Sequence, residues 1–184
     1  MTTYVALLYS IILPKGRLVM TDLKDLAEKL GLENPRTFLA TGNLVFEAKK
    51  TTAAKLEQQL ETAFDTRFGN HIDIIIRTAA QWRETLAVNP FSDAGDDTVA
   101  VRIQRDRLDD SILDVLKPYC PDSETIRIAN GDLWIRYGDK PSDSRLNSAL
   151  TKKRLGIGTS RVWNTLKRLE PLLEPPQTSF VKRT

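Results

Sequence analysis

TFLATGNLVFEA, residues 37–48, is the stretch on which the fold reading turns. Two apolar segments flank Thr41-Gly42-Asn43, and Gly and Asn tolerate the positive φ angles of a tight turn, so the pattern predicts a β-hairpin closed by a two-residue turn. The same pattern returns further on. Ala40-Thr41-Gly42-Asn43-Leu44 is answered by Ala129-Asn130-Gly131-Asp132-Leu133, an offset of 89 from Gly42 to Gly131, inside a second predicted hairpin over 125–137. A repeat of about half the chain implies two similar modules rather than one irregular domain.

Upstream of the first hairpin, residues 4–13 (YVALLYSIIL) are nearly all apolar. At about half a membrane span, with no basic segment before it and no small-residue cleavage site after it, this run predicts a buried strand rather than a membrane or targeting segment. The loop 14–17 leads to a helix with Thr21 as its expected N-cap. Leu23, Leu26, Ala27 and Leu30 form its apolar stripe and Gly31 ends it. Downstream, Thr51 and Thr52 precede a helix whose Leu56, Leu60, Ala63, Phe64 and Phe68 share a face. HIDIIIR (71–77) reads as a strand, and Thr78 with Gln81 gives the capping-box pattern of a further helix.

NPFSDAGDD (89–97) is the natural boundary. Beyond it the pattern restarts, with a strand over 98–104, a helix over 106–117, the second hairpin, and a helix over 142–155. The β-α-β-β-α-β order, met twice, predicts an α+β chain of two tandem ferredoxin-like modules, an internal duplication. The expected boundaries are 1–90 and 98–173, the second including a C-terminal helical closing unit, with a flexible tail over 174–184. The second copy is imperfect. Where its fourth strand is due, Gly156-Ile157-Gly158 is followed by a helix expected to begin at Thr159, so a degraded or missing strand is predicted.

Charge is placed unevenly. Residues 145–184 hold nine Lys or Arg against two Glu, a net +7, while the other 144 residues hold 18 basic and 22 acidic groups, a net −4. A basic end on an acidic body favours an anionic partner or an acidic patch on the protein itself. Cys120 stands alone, which excludes an internal disulfide and favours a reducing, cytoplasmic setting. The lone His71 and lone Cys120 lack the close ligand pairs of a zinc site, and Asp93, Asp96, Asp97, Asp106, Asp109 and Asp110 suit turns and helix starts, so no metal and no cofactor is expected.

The basic stretch LTKKRLGIGTSRVWNTLKRL (150–169) carries the candidate site. A helix starting at Thr159 would point free N–H groups and its positive dipole end outward, beside two glycines, two hydroxyls and a guanidinium. That composition suits a phosphate. Thr159, Ser160, Arg161 and Asn164 are the candidate ligand residues at the helix start, and Lys152, Lys153, Arg154, Lys167 and Arg168 supply the surrounding charge. Alternatives stay open. Gly156 and Thr159 also suit plain helix ends, Arg161 could pair with a carboxylate of the body, and two helices around a short turn resemble a helix-turn-helix. Val162, Leu166, Leu169 and Leu173 form the expected buried stripe, with Trp163 beside them.

Three stretches carry a resemblance to a known family. Ala6-Leu7-Leu8, Thr41-Gly42-Asn43-Leu44-Val45-Phe46 and Thr159-Ser160-Arg161-Val162-Trp163-Asn164-Thr165 are similar to an uncharacterised bacterial family, domain of unknown function 1697, along residues 3 to about 173. The last stretch usually reads T-x-R-N-W-N-T there. The resemblance implies a two-module α/β protein and no established activity. After the leucines the family usually has R-G-I-N-V-G-G, whereas this chain has Tyr9-Ser10-Ile11-Ile12-Leu13-Pro14-Lys15. A polar site carried by that loop in relatives would be altered here.

The leading expectation is a non-enzymatic binding protein whose basic C-terminal face takes nucleic acid or another phosphate-bearing ligand. A small-molecule enzyme or ligand-binding protein with its site in the cleft between modules is the rival, and a purely structural basic end is the third reading. Catalysis is neither assigned nor excluded by any motif.

Overall fold

The computed structural model describes residues 1–9, 12–13 and 16–174. Residues 175–184 of the expected tail, and Pro14 and Lys15 of the expected loop, lie outside the described residues. Two four-stranded antiparallel sheets and six α-helices make up the fold among the described residues.

The first half runs β1 (Thr2–Leu8), β2 (Ile12–Leu13), β3 (Gly16–Arg17), α1 (Met20–Lys29), β4 (Glu33–Phe38), β5 (Asn43–Ala48), α2 (Ala53–Phe68), β6 (Ile74–Thr78) and α3 (Ala79–Ala87). Its sheet has the order β4-β5-β1-β6, and β2 pairs only with β3. The second half runs β7 (Val99–Gln104), α4 (Ile112–Leu116), β8 (Thr125–Ala129), β9 (Asp132–Arg136), α5 (Lys152–Leu155), β10 (Gly158–Val162) and α6 (Trp163–Leu169). Its sheet has the order β8-β9-β7-β10. With the small β2–β3 ribbon set aside and strands numbered within each half, both sheets read 2-3-1-4.

Strand alternation divides the core. On β1, Tyr4, Ala6 and Leu8 face outward to α1 and α2, where Leu23, Leu26, Leu56, Leu60 and Phe64 cover them. Val5 and Leu7 face the other way and meet Val99, Val101, Ile103 and Trp134 of the second sheet, with Trp82 of α3 and Leu166 and Leu169 of α6 filling the space between. The outer face of the second sheet, with Ala100, Leu133 and Ile135, is covered by Leu116, Leu146, Ala149 and Leu155. The two sheets therefore share a central apolar layer. The Trp82 Nε1–H donates to the Leu166 carbonyl at 3.4 Å within it.

Several local expectations stand. Thr52 accepts from the Lys55 N–H at the start of α2, and Thr78 with Gln81 forms the full capping box of α3. Asn130 and Gly131, at φ 52° and 79°, make the two-residue turn of the second hairpin. Others are corrected. The first hairpin closes over four residues, with Leu39 and Gly42 at φ 58° and 75°. Helix α1 begins at Met20 after Val19, without a side-chain cap at Thr21. The helix expected over 106–117 shrinks to α4 and a 3₁₀ turn, because the Asp109 carboxylate takes the Ser111 N–H at 2.8 Å, a local alternative to helical bonding. The helix expected over 142–155 is two 3₁₀ turns and the single turn of α5. Ser144 and Ser148 bond to nearby backbone there in the same way.

The largest correction concerns the fourth strand of the second half, which is present. Residues 158–162 form β10, paired with β7 from Gly158↔Gln104 to Val162↔Ala100, and the helix starts at Trp163 rather than Thr159.

Candidate functional site

Because Thr159 and Arg161 alternate onto the face of β10 that looks toward the first sheet, Arg161 crosses the gap between the sheets and is 9% exposed. Its Nε–H donates to the Asn43 Oδ1 at 2.8 Å. Nη1 donates to the Thr159 Oγ1 at 2.7 Å and the Ser160 carbonyl at 2.9 Å, and Nη2 to the carbonyls of Leu8 at 3.0 Å and Thr41 at 2.8 Å. A guanidinium has five N–H donors, and here five protein oxygens take them. Asn43 is itself fully buried and fixed, its Nδ2 donating to the Phe38 carbonyl and the Thr41 hydroxyl. The alternative of an Arg161–carboxylate pair is thus corrected, since its acceptors are neutral. Burial pulls its pKa down to about 10, so it stays protonated at neutral pH.

The three stretches that carried the family resemblance meet at this point. Leu8 ends β1, Thr41 and Asn43 belong to the first hairpin, and Thr159 to Arg161 lie on β10, up to 153 residues away in the chain.

Three other cations line the same seam, and each has a carboxylate. Arg77 of β6 donates to Asp132 at 3.5 Å and to the Gln104 carbonyl. Arg105 pairs with Glu57 at 3.4 Å and with Glu61, and also reaches the Ile74 carbonyl. Lys152 pairs with Asp73 at 2.8 Å. Arg102 differs. It is 2% exposed, Nη2 donates to the Gly156 carbonyl at 3.3 Å, and Nε has no hydrogen-bond partner. Burial lowers its pKa, and the nearby Tyr9 phenol pulls the other way. Beside it the Gln104 side chain, fully buried, leaves both Nε2 and Oε1 without a partner. Both side chains bend over Gly158, where a Cβ would lie 2.0 Å from the Gln104 Oε1 and 3.0 Å from the Arg102 Nε.

The candidate ligand residues fall in several places. Thr159 is buried beneath Arg161, Ser160 is exposed, and Asn164 is half-buried on α6. The flanking cations form two groups on either side of β10, a strand of roughly 15 Å. On α5, Lys152 is tied to Asp73, Lys153 is exposed, and Arg154 stacks 4.6 Å from the Tyr119 ring centre. On α6, Lys167 pairs with Asp96 and Arg168 lies 5.0 Å from the Phe38 ring centre. Trp163 is half-buried against Trp134, their ring centres 5.4 Å apart. Arg102 and Gln104 escaped the sequence reading, although VAVRIQ (99–104) holds the signal, a charge inside an apolar strand.

Among the described residues, no group of three or more His, Cys, Asp or Glu side chains comes together as a metal-ligand set, and no helix is long and apolar enough to cross a membrane. A surface depression of about 560 Å³ lies between α1 and β4, lined by Lys24, Glu28, Asn34 and Arg36. It gathers none of the buried polar groups of the seam.

Residues 1–134 match the model of a family described as a protein of unknown function, DUF1697. The chain belongs to the DUF1697 family. The match takes in two of the three converging stretches, and Thr159-Ser160-Arg161 lies beyond its end. A solved structure of a conserved bacterial protein of Streptococcus pneumoniae, SP0830, is similar at a TM-score of 0.75 and 20% identity, over 95% of this chain and 99% of that one. At that identity the likeness is one of fold. None of the curated proteins matches the chain.

Proposed function

We propose that this DUF1697 protein is a ligand-binding protein whose site lies at the seam between the two sheets, where β1 ends and β10 begins. The observation that carries this reading is the Arg161 network. Hydrophobic burial alone would put apolar side chains between two sheets, yet here a guanidinium, the Asn43 side-chain amide, the Thr159 hydroxyl and several carbonyls are gathered and desolvated. The common 2-3-1-4 strand order supports reading the halves, 1–90 and 98–173, as duplicated ferredoxin-like modules, which makes the seam a module interface, a frequent setting for small-molecule sites.

The basic-face reading, with nucleic acid or another phosphate-bearing ligand, has less support. Lys152 and Lys167 are held by Asp73 and Asp96, and Arg161 has no donor left to offer. Lys153, Arg154 and Arg168 remain as exposed cations. A thermal-shift screen of nucleotides, sugar phosphates, organic acids and a generic oligonucleotide separates the two. A seam ligand should lose its effect in Thr159→Val and keep it in the double variant Lys153→Glu, Arg168→Glu. The opposite pattern, with binding that weakens steeply as salt rises, would move the site to the basic face.

A further inference from the structure

On the outer face of β7, beside Ala100, Arg102 is an unmatched charge. Arg77, Arg105 and Lys152 are each neutralised by a carboxylate, and Arg161 is saturated by five oxygens, whereas Arg102 has the single Gly156 carbonyl, at 3.3 Å. A buried guanidinium without a counter-charge is costly, and an anion would satisfy it with charge-assisted hydrogen bonds. The neighbouring Gln104 compounds the imbalance, since its side-chain amide is fully buried with a donor and an acceptor both idle. The Arg102 Nε and the Gln104 amide converge on Gly158, and the absence of a Cβ there keeps them side by side.

We propose that Arg102, assisted by the side-chain amide of Gln104, binds the anionic group of a small molecule, a carboxylate or a phosphate, at the Gly156–Gly158 end of β10. This site lies on the face of β7 turned away from the first sheet and goes beyond the seam reading above. Arg102 supplies the charge and a directed Nε–H. Gln104 supplies a neutral N–H for a second oxygen and leaves its Oε1 for a hydroxyl or amide on the same molecule.

The test uses the full chain, with inorganic phosphate and citrate as probes against chloride at matched ionic strength. Wild type should show a saturable rise in melting temperature with at least one of the two probes. Gln104→Glu places a carboxylate beside Arg102, so it should melt higher than wild type without any probe and bind the effective probe at least tenfold more weakly. Arg102→Lys, which keeps the charge and loses the directed Nε–H, should also weaken it. An unchanged probe response in Gln104→Glu overturns the proposal, as does a wild type that responds to neither probe beyond chloride. Hydrogen exchange locates the bound probe. Protection of the backbone over 156–158 supports the proposal, and protection of α6 surface amides alone overturns it.

Discussion

Asp132 sits at the start of β9 with 1% of its surface exposed, accepting the Gln104 N–H at 2.8 Å and facing Arg77 at 3.5 Å. Burial outweighs both partners and raises its pKa from 3.8 to about 6. An acid with a raised folded pKa holds its proton more tightly in the fold than in the unfolded chain. Its contribution to stability is therefore fully present below pH 3.8 and is lost as pH rises toward 6, to the extent of at most about 3 kcal/mol. Asp132→Asn keeps an oxygen for the Gln104 N–H and removes the titration, while Arg77 keeps the Gln104 carbonyl. Urea unfolding at about pH 4 and about pH 7 should show wild type losing more stability than the variant between the two, by up to about 3 kcal/mol. Equal losses would refute the assignment. At this scale the sequence revealed the turn role of Asn130 and Gly131 beside Asp132 but not its partner, because the contact with Arg77 spans 55 residues and leaves no periodic trace.

At the scale of elements, β6 is an edge strand that no further strand covers. Two of its N–H groups are taken by carboxylates from α2, Ile74 by Glu61 at 2.8 Å and Ile76 by Glu57 at 2.9 Å, and Arg105 from the second half neutralises both acids. Helix α2 thus acts as the missing neighbour, which blocks edge-to-edge pairing with another chain. Replacing Glu57 and Glu61 together by Ala should cost about 2–4 kcal/mol, since it strands two N–H groups and a partly buried guanidinium. Amide exchange at Ile74 and Ile76 should quicken, and Glu57→Gln, which keeps the acceptor, should have a small effect. Unchanged exchange in the double variant would refute the capping role. The long amphipathic helix α2 and the second hairpin were legible because their periodicity and turn residues agree with their tertiary surroundings, and the first hairpin was legible as a strand pair though not in its turn. Strand β10 was not. Its GTSRV offers no alternating apolar pattern, since the Arg161 on its inner face is polar and is held by carbonyls of the other half.

Across the whole molecule, the central layer joins Val5, Leu7, Val45, Ile75 and Trp82 of one half to Val99, Val101, Ile103, Trp134, Leu166 and Leu169 of the other. Neither sheet can leave that layer without exposing its inner face, and apolar area returned to water is the dominant cost of unfolding. Arg161 ties the polar end of the same interface. The two halves should therefore unfold as one cooperative unit, giving a single calorimetric transition whose van't Hoff and calorimetric enthalpies agree. Arg161→Lys tests how far the seam controls that unit. An ammonium offers three donors on a flexible stem and cannot span Asn43, Thr159, Ser160, Leu8 and Thr41 at once, so about 3 kcal/mol of stability should be lost. The loss should appear together in the exchange of β1 and β7 amides. Two separate transitions in the variant, with β7 protected while β1 opens, would mean that the apolar layer is too weak to couple the halves and that Arg161 alone had been holding them in register.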